Sequence, residues 1–115
     1  MNKINIPGVE IIPLRPHKDG RGGLLKVLMR HQLGGAERFG EIYLSWAAPG
    51  AVKAEHYHEK TCEWFCVLRG EGLLWLEEVA SGRRLCVPMN EGAPVTVKIP
   101  PGVAHAVQNS GQERL

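Results

Sequence analysis

Short apolar runs separated by glycine and proline limit the folds open to this chain more than any other feature. Helical periodicity is nearly absent, and turn signals such as Gly70-Glu71-Gly72, Ser81-Gly82 and Pro100-Pro101-Gly102 recur between the runs. The runs predict eight strands, at residues 24–29, 41–46, 52–58, 63–68, 72–78, 84–88, 95–99 and 105–109. This pattern indicates an all-β fold, an antiparallel double-stranded β-helix or jelly roll.

A single domain accounts for the 115 residues, which suffice for one hydrophobic core but not for two. Residues 1–40 are rich in proline and glycine, so we expect a loop-rich N-terminal lead-in with one or two strands. Residues 41–115 are expected to form the barrel. Few residues follow Asn109, where such a barrel adds its next strand. We therefore expect either a longer chain, truncated here at Leu115, or a partner subunit that completes the sheet.

Three histidines and a glutamate form the candidate site. His56 and His58 are one residue apart in a predicted strand, so their side chains are expected to share a face. Glu63 follows a predicted turn at residues 59–61, and a second strand could bring it back opposite the pair. His105 comes from elsewhere in the chain. Three imidazoles and a carboxylate are ligands that a divalent transition metal favours, and they predict one Zn, Mn, Fe or Ni ion per chain.

The spacing of these residues resembles the two motifs of the cupin superfamily. The matching positions are Gly50, His56, His58, Glu63 and Gly70 in the first motif, and Pro100, Gly102, His105 and Asn109 in the second. The resemblance implies a jelly-roll barrel with a metal bound by His56, His58, Glu63 and His105. An isolated His-x-His is more often a chance pair of solvated histidines. Here the surrounding glycines, proline and glutamate also fall where the metal interpretation requires them.

A second resemblance concerns nucleotide sugars. Asp19-Gly20-Arg21-Gly22 resembles an element of the dTDP-4-dehydrorhamnose 3,5-epimerases, whose arginine helps to hold the sugar diphosphate. Lys53 lies where that family has another phosphate-contacting residue, and His56-Tyr57 matches its His-Tyr, whose histidine is the base. The order of motifs from residue 40 to 72 is most similar to the metal-containing cupin domain of bifunctional capsular-polysaccharide enzymes, which act on UDP-sugars.

These resemblances imply a nucleotide-sugar epimerase or isomerase of polysaccharide or deoxysugar biosynthesis. Arg21 and Lys53 would bind a nucleotide-diphospho-sugar, and His56 would be either the catalytic base or a metal ligand. The rhamnose-type epimerases carry Gln in place of His58 and bind no metal, and the element at Asp19 is equally well a plain hairpin turn. An iron-dependent dioxygenase and a non-catalytic cupin that binds sugars or other small ligands are the alternatives.

Composition and charge exclude other classes of function. The chain is 43% hydrophobic and 23% charged, as is ordinary for a soluble globular protein. A formal net charge of +2, spread along the sequence, indicates neither nucleic acid nor a membrane surface as a partner. No stretch approaches the length of a membrane span and the N-terminus lacks the apolar region of a secretory signal, so we expect a cytoplasmic protein.

The cysteines indicate reduced structural thiols, because Cys62, Cys66 and Cys86 are odd in number and form no C-x-x-C motif.

The tryptophans indicate an assembly. Strand alternation from Glu63 places Phe65 and Val67 inside the barrel and Trp64, Cys66 and Leu68 outside. Because so many exposed apolar side chains are unusual on a monomer, we expect a homodimer that covers at least one of Trp46, Trp64 and Trp75.

Overall fold

A computed structural model describes residues 4–33, 42 and 44–115, with the main chain alone at residues 30 and 54–56. The described residues form strands and one short 3-10 helix, Arg30–Leu33, but no α-helix. The strands are β1 (Glu10–Pro13), β2 (His17–Asp19), β3 (Gly22–Leu24), β4 (Val52–His56), β5 (Glu63–Cys66), β6 (Glu71–Glu78), β7 (Arg84–Asn90), β8 (Val95–Ile99) and β9 (Val103–Asn109). The all-β prediction is confirmed.

Two antiparallel sheets enclose the core. One has the strand order β1-β8-β5 and the other the order β4-β9-β6-β7. Strands β2 and β3 pair only with each other, as a separate two-stranded hairpin. The two-layered antiparallel arrangement agrees with the predicted jelly roll.

Strand alternation builds the core between the sheets. In β6, Leu74 and Leu76 are buried while Trp75 between them is exposed. The other buried hydrophobic residues of the cluster are Ile6, Val9, Leu85, Val87, Met89, Val97, Ile99 and Val103. Phe65 and Val67 pack against this cluster, which confirms their predicted inward orientation. Each fully buried aliphatic side chain stabilises the fold by about 1.5–3 kcal/mol.

The predicted strands differ from the observed ones mainly at their ends. Strand β8 has the predicted bounds, whereas β4 and β5 each end two residues early and β9 begins at Val103. The predicted strand at 24–29 is wrong, because β3 ends at Leu24 and the carbonyl of Val27 instead accepts a hydrogen bond from the buried Thr96 hydroxyl. The predicted strand at 41–46 lies partly outside the described residues and stays a prediction.

The lead-in contains three short strands, β1 to β3, where one or two were predicted. Strand β1 was missed because it shows no alternation: Ile11 and Ile12 are adjacent, and Pro13 follows them. A proline is tolerated there because β1 is an edge strand, paired on one side only with β8.

The segment after β9 folds back over one end of the barrel. Ala47 and Leu115 exchange two main-chain hydrogen bonds, of 3.1 and 3.0 Å. The buried Asn109 amide donates to the carbonyl oxygens of Ala47 (2.9 Å) and Glu113 (2.8 Å), and its oxygen accepts from the amide of Gly111 (2.9 Å). Asn109 therefore joins this segment to the residues that precede β4.

No helix among the described residues has both the length and the apolar character needed to cross a bilayer. None of Cys62, Cys66 and Cys86 forms a disulfide, as predicted. Burial raises the pKa of all three thiols above its ordinary value, which disfavours their reactive thiolate form.

Candidate functional site

The structure brings together three of the four predicted metal ligands. The Oε1 atom of Glu63 lies 2.5 Å from Nε2 of His58, and Oε2 lies 3.5 Å from Nε2 of His105. The two imidazole rings are stacked, with centroids 6.1 Å apart. One carboxylate thus faces two histidines, with a different oxygen directed at each.

The two sheets supply these side chains from opposite layers. Glu63 is the first residue of β5, which pairs with β8, whereas His105 lies on β9 of the other sheet. Glu63 lies on a second strand after the turn, but this strand, β5, belongs to the opposite sheet. Glu63 therefore meets His58 and His105 across the interior of the sandwich.

His58 lies beyond the end of its predicted strand. Strand β4 ends at His56, so His58 belongs to the loop between β4 and β5. The amide of Gly102 donates a 2.8 Å hydrogen bond to the carbonyl oxygen of His58 and fixes this part of the loop. Gly102 has φ of 85°, a conformation that suits glycine, which explains why the Pro-Pro-Gly turn is needed here. The second motif thereby holds the first in place.

An irregularity in β4 places the main chain of His56 opposite His105. Lys53 pairs with Val107, and regular pairing would put residue 55, not 56, opposite residue 105. The register shifts between Lys53 and His56, so that His56 and His105 become Cα partners. Bulges of this kind are common beside active sites, because they change the direction in which the following residues point.

The burial of the three side chains decreases from His105 through Glu63 to His58. His105 is buried, and the edge of the Phe65 ring lies against it with centroids 5.0 Å apart. The Glu63 side chain is 19% exposed and that of His58 is 39% exposed. The cluster is therefore in contact with solvent at His58 and buried at His105.

The donor chemistry of this cluster fits a divalent transition metal, since imidazole nitrogen and carboxylate oxygen are its usual ligands. In the described part of the chain, however, no group of three or more His, Cys, Asp or Glu side chains is spaced to hold an ion. Glu63 Oε1 and His58 Nε2 contact each other directly, at 2.5 Å. The fourth predicted ligand, His56, is described by its main chain only.

The structure does not bring Arg21 to this cluster. Arg21 lies in the turn of the β2–β3 hairpin, and its side chain is 91% exposed. Its guanidinium donates a 2.9 Å bond to Asp19 Oδ2, and its amide donates a 2.8 Å bond to Oδ1. The Arg21 guanidinium holds the pKa of the Asp19 carboxyl below its usual range. The element is a hairpin turn, one of the two interpretations offered by the sequence.

Lys53 lies on β4, on the strand that ends at His56. Its ammonium donates to Ser45 Oγ at 3.0 Å and to the carbonyl oxygen of Trp46 at 3.2 Å. The guanidinium of Arg114 in turn lies 5.6 Å from the centroid of the Trp46 ring. Lys53 therefore also helps to fix the segment that leads into β4.

Sequence reasoning missed two residues of the site. Phe65 was assigned to the interior but not to the site, and the contact between Gly102 and His58 was not anticipated. Gly102 was the only sequence signal for that contact. It predicted the turn, but not that the turn would bind the carbonyl oxygen of His58. Neither contact can be read from spacing, because each joins residues brought together by different sheets or loops.

Comparison with known proteins identifies the kinship. Residues 17–115 match the family described as the polysaccharide biosynthesis C-terminal domain. The chain is 32% identical to the spore coat polysaccharide biosynthesis protein SpsL of Bacillus subtilis, over 96% of this chain and 76% of that protein. The chain belongs to this polysaccharide biosynthesis family.

Solved structures of similar fold are sugar-modifying enzymes. A dTDP sugar isomerase from Desulfovibrio desulfuricans is 26% identical, with a TM-score of 0.84 over 95% of this chain and 73% of that one. ChmJ, a 3'-monoepimerase from Streptomyces bikiniensis in complex with dTDP-quinovose, is 20% identical with a TM-score of 0.83, over 99% of this chain. The chain spans 64% of the length of ChmJ. The predicted kinship with cupin-type sugar epimerases is confirmed.

Proposed function

We propose that this chain is a nucleotide-sugar epimerase or isomerase of polysaccharide or deoxysugar biosynthesis, with a metal-assisted site at the His58–Glu63–His105 cluster. The observation that carries the proposal is the convergence of the Glu63 carboxylate on Nε2 of both histidines. The family match to polysaccharide biosynthesis and the similarity to a dTDP sugar isomerase support the substrate class.

The proposed ligands of one divalent transition metal, Zn, Mn, Fe or Ni, are His56, His58, Glu63 and His105. The pairing of the His56 main chain with His105 supports including the fourth residue. A bound divalent ion supplies Lewis-acid polarisation of a substrate carbonyl, which makes the neighbouring C–H group more acidic.

The chain's own groups provide the rest of the chemistry. Epimerisation beside a ketone removes a proton from carbon and returns it to the opposite face. His58 and Glu63 lie on the side of the cluster that solvent reaches, so the substrate would approach from there; as proposed ligands they are not simultaneously the acid and base of the proton transfer. Phe65 and the core behind His105 exclude water from the inner side, which strengthens electrostatic interactions there. His56 is proposed as a ligand; as a ligand it is not simultaneously the base.

Arg21 and Lys53 are proposed to neutralise the sugar diphosphate. A guanidinium grips phosphate oxygens bidentately, whereas an ammonium acts as a point charge. Arg21 lies on a hairpin that pairs with no other described strand of its own chain, so a second subunit is the simplest way to bring it to a site. We accordingly propose a homodimer in the cytoplasm, where nucleotide sugars are made, with Trp46, which is 63% exposed, among the residues that its interface covers.

The substrate class is tested by calorimetric titration with UDP- and dTDP-hexoses, together with deuterium wash-in at the carbon beside the ketone. Wild type should bind and exchange, and Arg21→Ala should bind about tenfold more weakly. Lys18→Ala, which removes a cation from the same hairpin, is the matched control and should retain affinity. Binding without exchange leaves a sugar-binding protein and contradicts the epimerase, whereas no binding by wild type contradicts the substrate class.

The assembly is tested separately. Sedimentation of wild type should give a dimer, and Trp46→Arg should shift it towards monomer because an apolar contact is replaced by a charge. A wild-type monomer whose three tryptophans are all readily quenched would contradict the homodimer.

A further inference from the structure

A shallow groove lies on the outer face of the four-stranded sheet, on the other side of β9 from the His105 side chain. This outer groove has a volume of about 400 Å³ and is lined by Tyr57, Trp75, Leu76, Glu77, Arg84, Ala104, His105 and Ala106. Leu76 and His105 are themselves buried, at 2% and 3% exposed, so the accessible side chains of the groove are those of the other residues. Its volume falls in the range of small-ligand sites, roughly 300–1,000 Å³. Of the residues that line the groove, the proposed catalytic cluster uses only His105.

Trp75 presents a fixed aromatic surface in this groove. The residues paired with Trp75 on the neighbouring strands are Cys86 and Ala106, both small, and the indole is 46% exposed. Its Nε1–H donates a 3.1 Å hydrogen bond to Gln108 Oε1, which sets the orientation of the ring. Tyr57, 47% exposed, supplies a second aromatic ring. The groove thus has one exposed ring on the sheet, that of Trp75, and one on the loop after β4, that of Tyr57.

The polar groups of the groove are balanced in charge. Arg84 Nε donates a 2.8 Å bond to Glu77 Oε1, and the two side chains are 79% and 39% exposed. A guanidinium carries five N–H donors and a carboxylate has several acceptor sites, so the pair offers hydrogen bonds of both kinds. The carboxylate would repel a diphosphate, which makes the groove unsuitable for the nucleotide part of a nucleotide sugar.

We propose that the outer groove is a binding site for a neutral glycan, distinct from the nucleotide-sugar site. A pyranose ring has an apolar C–H face that stacks on an indole or phenol, and equatorial hydroxyls that donate to Glu77 and accept from Arg84. The small residues Ala104 and Ala106 provide the flat floor that a ring lying against a sheet requires. Such a site would hold the growing or finished polysaccharide while the chemistry takes place at the other face of the sheet.

The outer groove and the proposed catalytic cluster lie on opposite faces of β9, and Tyr57 lies close to both. Tyr57 lies between His56 and His58 in the sequence, so a glycan stacked on Tyr57 adjoins the loop that carries His58. The outer groove shares His105 with the proposed ligand set, but its exposed aromatic and charged side chains, Tyr57, Trp75, Glu77 and Arg84, are not proposed ligands.

The experiment titrates the full chain with maltotetraose, cellotetraose and mannotetraose by calorimetry, with tryptophan fluorescence as a second readout. At least one of the three should bind wild type, and Trp75→Ala should weaken that binding about tenfold, as loss of a stacking ring predicts. Arg84→Ala, a second variant that leaves the strand pairing intact, should weaken it also. Leu68→Ala, which truncates an exposed apolar residue outside the groove, should bind as wild type does. Titration with dTDP should be unchanged in Trp75→Ala.

Three outcomes would overturn the proposal. The first is that wild type binds none of the three glycans. The second is that neither Trp75→Ala nor Arg84→Ala lowers the affinity relative to Leu68→Ala. The third is a shift of Trp75→Ala to monomer in sedimentation, which would assign this face to a second copy of the chain. The first two results leave dTDP-hexose binding and deuterium wash-in by wild type unaffected, so failure here is distinguishable from failure of the proposed enzyme function.

Discussion

The Glu63 carboxylate lies 2.5 Å from Nε2 of His58, although the two residues belong to different parts of the fold. Glu63 begins β5 of one sheet, and His58 lies in the loop that follows β4 of the other. Their contact joins the two sheets at the site. The second carboxylate oxygen of Glu63 points towards the buried His105. A substitution of either residue should therefore lower the affinity for a ligand more than it lowers the stability of the fold.

Replacing His58 by Ala should lower metal affinity by well over the 10- to 100-fold typical of losing a residue that merely orients a ligand. The fold should persist, because His58 is partly exposed and contributes little to the core cluster. The measurement is metal analysis of protein purified without an affinity tag, with circular dichroism to verify folding. His17→Ala, an exposed histidine of the hairpin, is the control. Stoichiometric metal in the His56→Ala/His58→Ala double variant would refute the ligand assignment.

The inner residues of the site were predictable because strand alternation survives wherever a sheet has one buried face. Phe65 and Val67 were assigned inward by strand parity from Glu63, and β8 was predicted with its bounds. The shift of register before His56 was not predictable, because a bulge changes parity without leaving a signal in the pattern of apolar residues.

Contacts between segments far apart in the chain could not be predicted from the sequence either. Glycines at positions 70 and 72 predicted a turn, yet Gly72 is also required by Leu115, more than forty residues later. The sequence also did not show to which of the two sheets β5 belongs, because the pattern of β5 is compatible with either sheet. Such pairings depend on the whole fold rather than on local propensity.

Asn109→Ala should lower the free energy of unfolding by about 1–3 kcal/mol, because it leaves buried partners without their hydrogen bonds. The Asn109 side chain makes three such bonds, to Ala47, Glu113 and Gly111. Asn5→Ala removes one exposed bond, to the carbonyl of Arg84, and should stay within about 0.5 kcal/mol of wild type. Urea denaturation measures both variants, and equal stabilities would contradict the role given to Asn109.

The pH dependence of cysteine labelling follows from burial. Burial raises the pKa of Cys62, Cys66 and Cys86, so the folded chain keeps these thiols protonated to a higher pH than the unfolded chain does. Their contribution to stability is thus fully present below the ordinary thiol pKa of about 8.5 and is lost as the pH rises through the folded values.

Iodoacetamide should consequently label the folded protein more slowly than the urea-unfolded protein near neutral pH. The labelling rate of the folded protein should also begin to rise at a higher pH than that of the unfolded protein. Mass spectrometry of the labelled peptides separates the three sites. A thiol that reacts at the same rate in both states would show that its surroundings do not suppress ionisation.

Gly72→Ala should destabilise the protein by about 1–3 kcal/mol, the usual cost of forcing extra volume into a packed site. A Cβ at position 72 would lie 2.8 Å from Cδ2 of Leu115 and 3.0 Å from the main-chain oxygen of Gln108. The leucine side chain can rotate away, but the oxygen is held in the β6–β9 ladder and cannot. Gly20→Ala is the matched control, because a Cβ there meets nothing within 4 Å. The two variants are compared by urea denaturation, together with Gly72→Ala/Leu115→Ala. If relieving Leu115 restored full stability, the leucine contact alone would account for the loss; a remaining deficit would assign it to the carbonyl of Gln108.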